Sequence, residues 1–307
     1  MSFTTDVKNQ ILSVKITDGN AQRAFVSAFL RTCGSVEIVG DKFGFSAVCD
    51  LSTAKTFSKI VRNRYGEEPT VTCTKGEKTV VTLVSKNGLN ILSDLGILSF
   101  DGAEVNVNLS VGSVADGEEC FKAYSMGAFL GSGSVTVPFV EDKKKKTGYH
   151  LEIVFSKYVT ASDYCALSAE YGFMPKLVER KGQFVVYYKS VDEIGNFIAL
   201  VGANSAYLKL AELQIKKEIR NDANRKVNCE VSNMTRTVNA SVSQREDINK
   251  IAQVLGLDAL KAPLKIVAEA RLTFEDYSMQ ELADHLGITK SCLSHRLKKL
   301  SEIAKTL

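Results

Sequence analysis

Apolar residues alternate with polar ones in FGFSAVC (residues 43 to 49) and in YHLEIVF (149 to 155), the two-residue period of strands that cover a core with one face. After each run the period lengthens. Phe57, Ile60 and Val61 mark a helix over Thr53 to Tyr65, Tyr164 and Leu167 mark another over Thr160 to Tyr171, and Gly66 and Gly172 stand where each should stop. Val227, Val231, Met234, Val238 and Val242 recur every three or four residues and predict a helix within 224 to 252. Its polar face carries Arg225, Lys226 and Arg236, read as solvated charges. Towards the C-terminus, Leu282, Ala283 and Leu286 predict a short helix, and Leu293, Leu297, Leu300 and Ala304 a longer one.

The pattern repeats. RAFVSAFLRTCGSV (23 to 36) aligns without gaps on KAYSMGAFLGSGSV (122 to 135) at an offset of 99 residues. Further on, Tyr65-Gly66, Pro69 and Lys75-Gly76 fall on Tyr171-Gly172, Pro175 and Lys181-Gly182 at an offset of 106. The difference is absorbed before Tyr149, where PFVEDKKKKTG reads as an enlarged hairpin loop holding Lys143 to Lys146. Each copy runs small-residue helix, hairpin, helix, hairpin turning at Lys-Gly, closing helix. The expected fold class is therefore α+β, with two pseudo-symmetric αββαββ units whose helices cover one face of two antiparallel sheets and leave the other faces as a saddle. Domain boundaries are expected at 1–205 for the duplicated part (units of about 1–100 and 117–205), 206–255 for a helical connector and 256–307 for a terminal helical domain.

The stretch SMGAFLGSGSV (125 to 135) is a poor helix by propensity, since each interior glycine costs about 1 kcal/mol relative to alanine. Two helices carrying small residues can instead pack backbone to backbone along a pseudo-two-fold. Here the chain resembles the LAGLIDADG homing endonuclease family: Gly127, Gly133 and Ser134 match the family decapeptide, as do Gly34 and Ser35 in the first copy, where Ala28 replaces the inner glycine. In that family the acid before the closing glycine binds a divalent metal that activates water for phosphodiester hydrolysis. The corresponding residues are Cys33 and Ser132. Neither is a carboxylate, and hard cations require anionic or carbonyl oxygens. Asp41, Glu141 and Asp142 lie past the helix ends and lack symmetric counterparts. No catalytic residue, metal or cofactor is expected.

Composition narrows the alternatives. The 307 residues are 45% apolar and 24% charged, ordinary for a folded chain, with no apolar run long enough to cross a membrane and no basic, apolar leader at the start. Seven scattered cysteines without a CxxC pair argue for reduced thiols and a cytoplasmic location. His150, His285 and His295 have no metal-ligand neighbours at usable spacing. The charge is uneven: residues 205–307 hold 17 Lys and Arg against 13 Asp and Glu, whereas residues 1–204 hold 22 of each. A polyanion is the partner this favours.

Residues 277 to 300, YSMQELADHLGITKSCLSHRLKKL, read as a helix-turn-helix. Ser278 and Glu281 form an S-x-x-E capping box, Gly287 supplies the turn, and Thr289 caps the second helix. The apolar stripe of that helix turns Ser291, His295 and Lys298 outward, flanked by Lys290 and Ser294. Ser291, Ser294 and His295 are the candidates for base edges, and Lys290, Arg296, Lys298 and Lys299 for phosphates; with Thr289 these form the expected DNA-binding set.

A degenerate LAGLIDADG pair followed by a helix-turn-helix is similar to one family over the whole chain, the WhiA transcription regulators of Gram-positive bacteria. KAYSMGAFLGSGSV, NRKVNCEVSNMTRTVNASVSQREDI and SCLSHRLKKL carry the resemblance. It implies a sequence-specific DNA-binding regulator linked to cell division, chromosome segregation and, in sporulating relatives, sporulation, without catalysis. Promoter duplex DNA is the expected partner, with the saddle either adding phosphate contacts or meeting a partner transcription factor or RNA polymerase, and no membrane; location at the nucleoid follows. The rival readings are a metal-dependent homing endonuclease or maturase, and a nucleoid- or division-associated scaffold.

Overall fold

The computed structural model describes residues 2–74, 78–101, 104–106, 110–138 and 148–307. The hairpin turn expected at Lys75-Gly76, the Lys143 to Lys146 loop, Glu141 and Asp142 lie outside the described residues. The chain divides into two compact units, Met1–Lys216 and Lys217–Leu307.

The first unit begins with α1 (Phe3–Ser13), then α2 (Gly19–Cys33), β1 (Gly34–Val39), β2 (Lys42–Cys49), α3 (Leu51–Tyr65), β3 (Thr70–Cys73), β4 (Thr79–Ser85) and α4 (Gly88–Asp94). A small ribbon, β5 (Ser99–Asp101) with β6 (Glu104–Asn106), and the short α5 (Gly112–Ala115) lead to the second copy. That copy comprises α6 (Glu118–Ser132), β7 (Ser134–Thr136), β8 (His150–Phe155), α7 (Tyr158–Glu170), β9 (Lys176–Arg180), β10 (Gln183–Tyr188) and α8 (Val191–Leu200). The sheets have the same antiparallel order, β1-β2-β4-β3 and β7-β8-β10-β9. Their registers also agree: Ser35 pairs with Ser46 and Ser134 with Glu152, the pairs related by the two sequence offsets. In the second copy the expected turn is a two-residue loop, Lys181-Gly182, with both φ positive as a type I′ hairpin needs.

The alternation read in the sequence sets the faces. Phe45 and Ala47 of β2, and Leu151, Ile153 and Phe155 of β8, are buried under the helices. Phe57 on α3 meets Phe29 at a ring separation of 4.6 Å, and Tyr164 on α7 donates to or accepts from Ser125 at 2.9 Å. Between the sheets, α2 and α6 pack at backbone distance. A methyl group on Gly127 would overlap the Phe25 carbonyl oxygen, and one on Gly131 would strike the Thr32 hydroxyl. Gly133 differs from this expectation: it lies at the end of α6, where a Cβ would run into Phe129 of its own helix. Helix α1, absent from the sequence reading, closes the β7 edge. Its Thr4 hydroxyl donates to Val135 O and accepts from Val135 N, both at 2.9 Å.

Helix α9 (Asn204–Val254) runs on from the first unit into the second. The segment 206–255, read as a separate connector, is thus one helix whose residues from 217 on belong to the C-terminal unit. Ile248 and Ile251 are fully buried there with Val267, Leu282, Leu293 and Leu297. A further difference concerns the stripe from Val227 to Val242: it is helical but exposed, Met234 most of all at 71%. Helical period alone does not say whether an apolar face finds a partner. The remaining elements are α10 (Ala262–Thr273), α11 (Met279–His285) and α12 (Lys290–Thr306), with a short 3-10 turn at Leu257–Ala259 before them.

Candidate nucleic-acid interface

Cys33 and Ser132, the residues aligned above with the metal-binding acids, are both tied into the framework. Cys33 ends α2, and its thiol donates to Phe29 O at 3.3 Å. Burial, followed by the neighbouring Cys49, pushes that thiol up to about 12, so it is neutral at physiological pH. Ser132 ends α6 and spends its hydroxyl on β8, donating to Val154 O at 2.7 Å and accepting from Val154 N at 2.9 Å. The ammonium of Lys8, which donates to Leu130 O at 3.1 Å, lies close enough to interact with both Cys33 and Cys49. A neutral thiol, a committed hydroxyl and a resident cation do not fit a hard divalent metal. Among the described residues no cluster of three His, Cys, Asp or Glu could hold one. Asp41 sits in the β1–β2 turn, exposed.

The outer faces of the sheets differ from each other. By register, Ser46, Val48, Thr82, Val80, Thr70 and Thr72 face away from the helices in the first sheet, a face mainly of hydroxyls and valines that Lys42 and Glu37 share. In the second, Lys176 and Arg180 share that face with Glu152, which accepts from Arg180 at 3.5 Å and pairs with His150 at 3.0 Å.

The C-terminal unit brings the remaining candidates together. Ser278 accepts from Glu281 N at 3.3 Å while Ser278 N donates to the Glu281 carboxylate at 2.8 Å, the reciprocal capping box expected. That hydrogen bond, with the serine side chain, holds the Glu281 carboxyl below the usual range. Gly287 has φ +64, Gly287 N donates to Asp284 O and Ile288 N to Ala283 O, so the turn is a Schellman motif that only glycine enters without strain. Thr289 Oγ1 then accepts from Cys292 N at 3.2 Å and starts α12. Leu293, Leu297, Leu300 and Ala304 are at most 3% exposed, which turns Ser291, Ser294, His295 and Lys298 to solvent on one face. Lys290 is exposed at the start of the helix and Arg296 is half-buried on its flank. Lys299 is tied at 3.3 Å to Glu302, an exposed pair worth at most about 1 kcal/mol that leaves the lysine free to exchange partners.

Known proteins carry the same two units. Residues 223–304 match the family model described as the WhiA C-terminal HTH domain, and residues 121–220 the WhiA LAGLIDADG-like domain. A probable cell division protein WhiA from Thermoanaerobacter sp. (strain X514) is 33% identical over all of this chain and 98% of its own length. The chain belongs to the WhiA family. Another member, from Clostridium tetani, is likewise 33% identical across the full chain. A crystal structure of full-length DUF199/WhiA from Thermatoga maritima shares the fold, with a TM-score of 0.61 at 19% identity over 100% of this chain and 99% of that one.

The WhiA family HTH match begins inside α9, consistent with the burial of Ile248 and Ile251 in the same core as α12. Two features of this unit escaped the sequence reading. Arg271 is 2% exposed, and Arg236, exposed on α9 as read, borders a pocket that Arg271 also lines. A signal for the first existed: Val267, Ala268 and Arg271 fall three and four residues apart on the buried face of α10, an apolar stripe interrupted by a charge.

Proposed function

We propose that this protein is a sequence-specific DNA-binding transcription regulator linked to cell division, chromosome segregation and, in sporulating relatives, sporulation, acting at the nucleoid without cutting DNA. The observation that carries the reading is α12. It presents Ser291, Ser294, His295 and Lys298 on one solvent face above a buried leucine stripe, with Thr289, Lys290, Arg296 and Lys299 around it. Hydroxyls and an imidazole suit base edges, and lysine and arginine suit phosphates. The terminal domain that does this work begins within α9, at Lys217. The saddle is assigned either to further phosphate contacts or to a protein partner, a transcription factor or RNA polymerase; the outer face of its first sheet is mainly valines and hydroxyls with Lys42 among them, and that of the second carries Lys176 and Arg180.

Sequencing of duplexes selected by the full chain from a random pool tests this. A single enriched motif, lost on changing α12, is the expected result, and retention of the pool at random overturns it. Supercoiled plasmid in magnesium or manganese should remain intact; metal-dependent nicking would favour the endonuclease rival. The relatives' names as probable cell division proteins favour the scaffold alternative to the extent that regulation is absent. Reporter transcription from the selected sites separates the two.

A further inference from the structure

A pocket of about 270 Å³ opens within the C-terminal unit, bordered by Arg236 and Thr237 of α9, Arg271 of α10, Ser278 and Gln280 at the start of α11, and Lys290 at the start of α12. Three cations line it and no carboxylate does. Among the described residues none of the three forms an ion pair. Of the acids close in sequence to its lining, Glu275 pairs with Arg245, Glu281 accepts from Ser278 N and Asp284 accepts from Gln280.

Arg271 is the unusual member. Its Nη1 donates to Tyr277 O at 2.7 Å, its Nη2 meets the Met279 sulfur at 3.7 Å, and its Nε is buried without a partner. A buried guanidinium without a counter-ion is costly, and Arg245 adds repulsion. A leucine or methionine would complete the apolar stripe of α10 without that cost. An anion seated against Arg236, Arg271 and Lys290 would offset it.

We infer that this pocket seats a phosphodiester of the DNA backbone, at the edge of the groove that α12 enters, and so fixes the register of α12 on the duplex. Lys290 joins the two surfaces: it lines the pocket and begins the helix whose next outward residues are Ser291 and Ser294. The inference rests on the DNA-binding reading above. It also moves Arg236 from a solvated helix face into the interface.

The test is the slope of log Kd against log salt for the full chain on a short fluorescein-labelled duplex of random sequence, where binding is to phosphates alone. Arg236→Ala and Lys290→Ala should each lower the slope by about one, and together by about two, with unchanged thermal unfolding. Arg271→Lys should keep the slope and Arg271→Met lower it. Arg225→Ala, the same charge change on α9 outside the pocket, should leave it as it was. Unchanged slopes for Arg236→Ala and Lys290→Ala, or an equal loss for Arg225→Ala, overturn the inference. If those variants are silent while His295→Ala still alters sequence preference, the phosphate pocket alone fails. A full chain that ignores duplexes removes the DNA-binding reading and the pocket with it. Inorganic phosphate that, at matched ionic strength, binds the natural chain but not the double variant and does so without displacing duplex would make free phosphate the occupant and also overturn it.

Discussion

The Ser132 hydroxyl is held at both of its hydrogen-bonding functions by one residue, donating to Val154 O at 2.7 Å and accepting from Val154 N at 2.9 Å. Ser132, aligned by sequence with the acid of the LAGLIDADG decapeptide, is therefore a structural tie between α6 and β8. A carboxylate placed there could accept from Val154 N but would face the Val154 carbonyl with no proton to give. Ser132→Asp combined with Cys33→Asp should leave supercoiled plasmid uncut in magnesium or manganese. Each change should lower stability by about 1–3 kcal/mol in denaturant unfolding, the penalty of an unmet buried polar group. Metal-dependent nicking by the double variant would show that the framework can still cut.

At the helix pair the limiting contact is between Gly127 and the Phe25 carbonyl oxygen, both backbone, so neither can rotate away. Gly127→Ala should destabilise the chain by about 1–3 kcal/mol despite the better helix propensity of alanine. Ala28→Gly, which restores a glycine on the facing helix, should rescue it only in small part, because the severe overlap is with the Phe25 carbonyl and the Ala28 methyl, 3.2 Å away, is the lesser contact. Chemical denaturation of the two single variants and the double variant gives the coupling, and full rescue would show that α2 and α6 can slide.

Both the duplicated architecture and the helix-turn-helix were legible because each is written in local periods: alternation in β2 and β8, leucines at helical spacing in α12, and glycine at the positive-φ turn before α12. What could not be read was decided by tertiary contact. Thr4 is an unremarkable helix residue until β7 presents an edge for it to close. The Val227 to Val242 stripe has a helical period but no buried partner, whereas Ile248 and Ile251, two turns on, enter the core. Arg271 was legible as a charge in an apolar stripe, but the missing counter-ion appears only when α9, α10 and α12 are brought together. Cys33 and Ser132 could be placed by alignment, yet their commitment to Phe29 and Val154 is a matter of distances.

The cap of α3 gives a pH dependence. Asp50 accepts from Thr53 N at 3.0 Å and from Thr53 Oγ1 at 2.6 Å, and although partial burial pulls the other way these bonds hold its carboxyl below the usual range. With the folded pKa below the unfolded one, the contribution is complete above the ordinary carboxylate value and is lost as pH falls through the folded pKa. The group is exposed, so the effect is small. Asp50→Asn should retain the cap at neutral pH and flatten the acid limb of the stability profile. An unchanged acid limb would show that Asp50 does not govern it.

On α12, His295 and Lys298 are adjacent on the exposed face yet should fail differently. An imidazole offers a donor and an acceptor to a base edge, whereas an ammonium on a long stem is a point charge that serves any phosphate. His295→Ala should relax sequence preference at one position of the selected site, costing about 1–3 kcal/mol on that site and little on random duplex. Lys298→Ala should weaken selected and random duplexes about equally and lower the salt slope by about one. Neither side chain supports the core beneath, where Leu293 and Leu297 are buried, so thermal unfolding should be unchanged in both variants. Competition binding with the selected site and a scrambled duplex over a salt series measures all three quantities. The opposite pattern, in which His295→Ala weakens every duplex equally and Lys298→Ala changes the preferred sequence, would reverse the two roles.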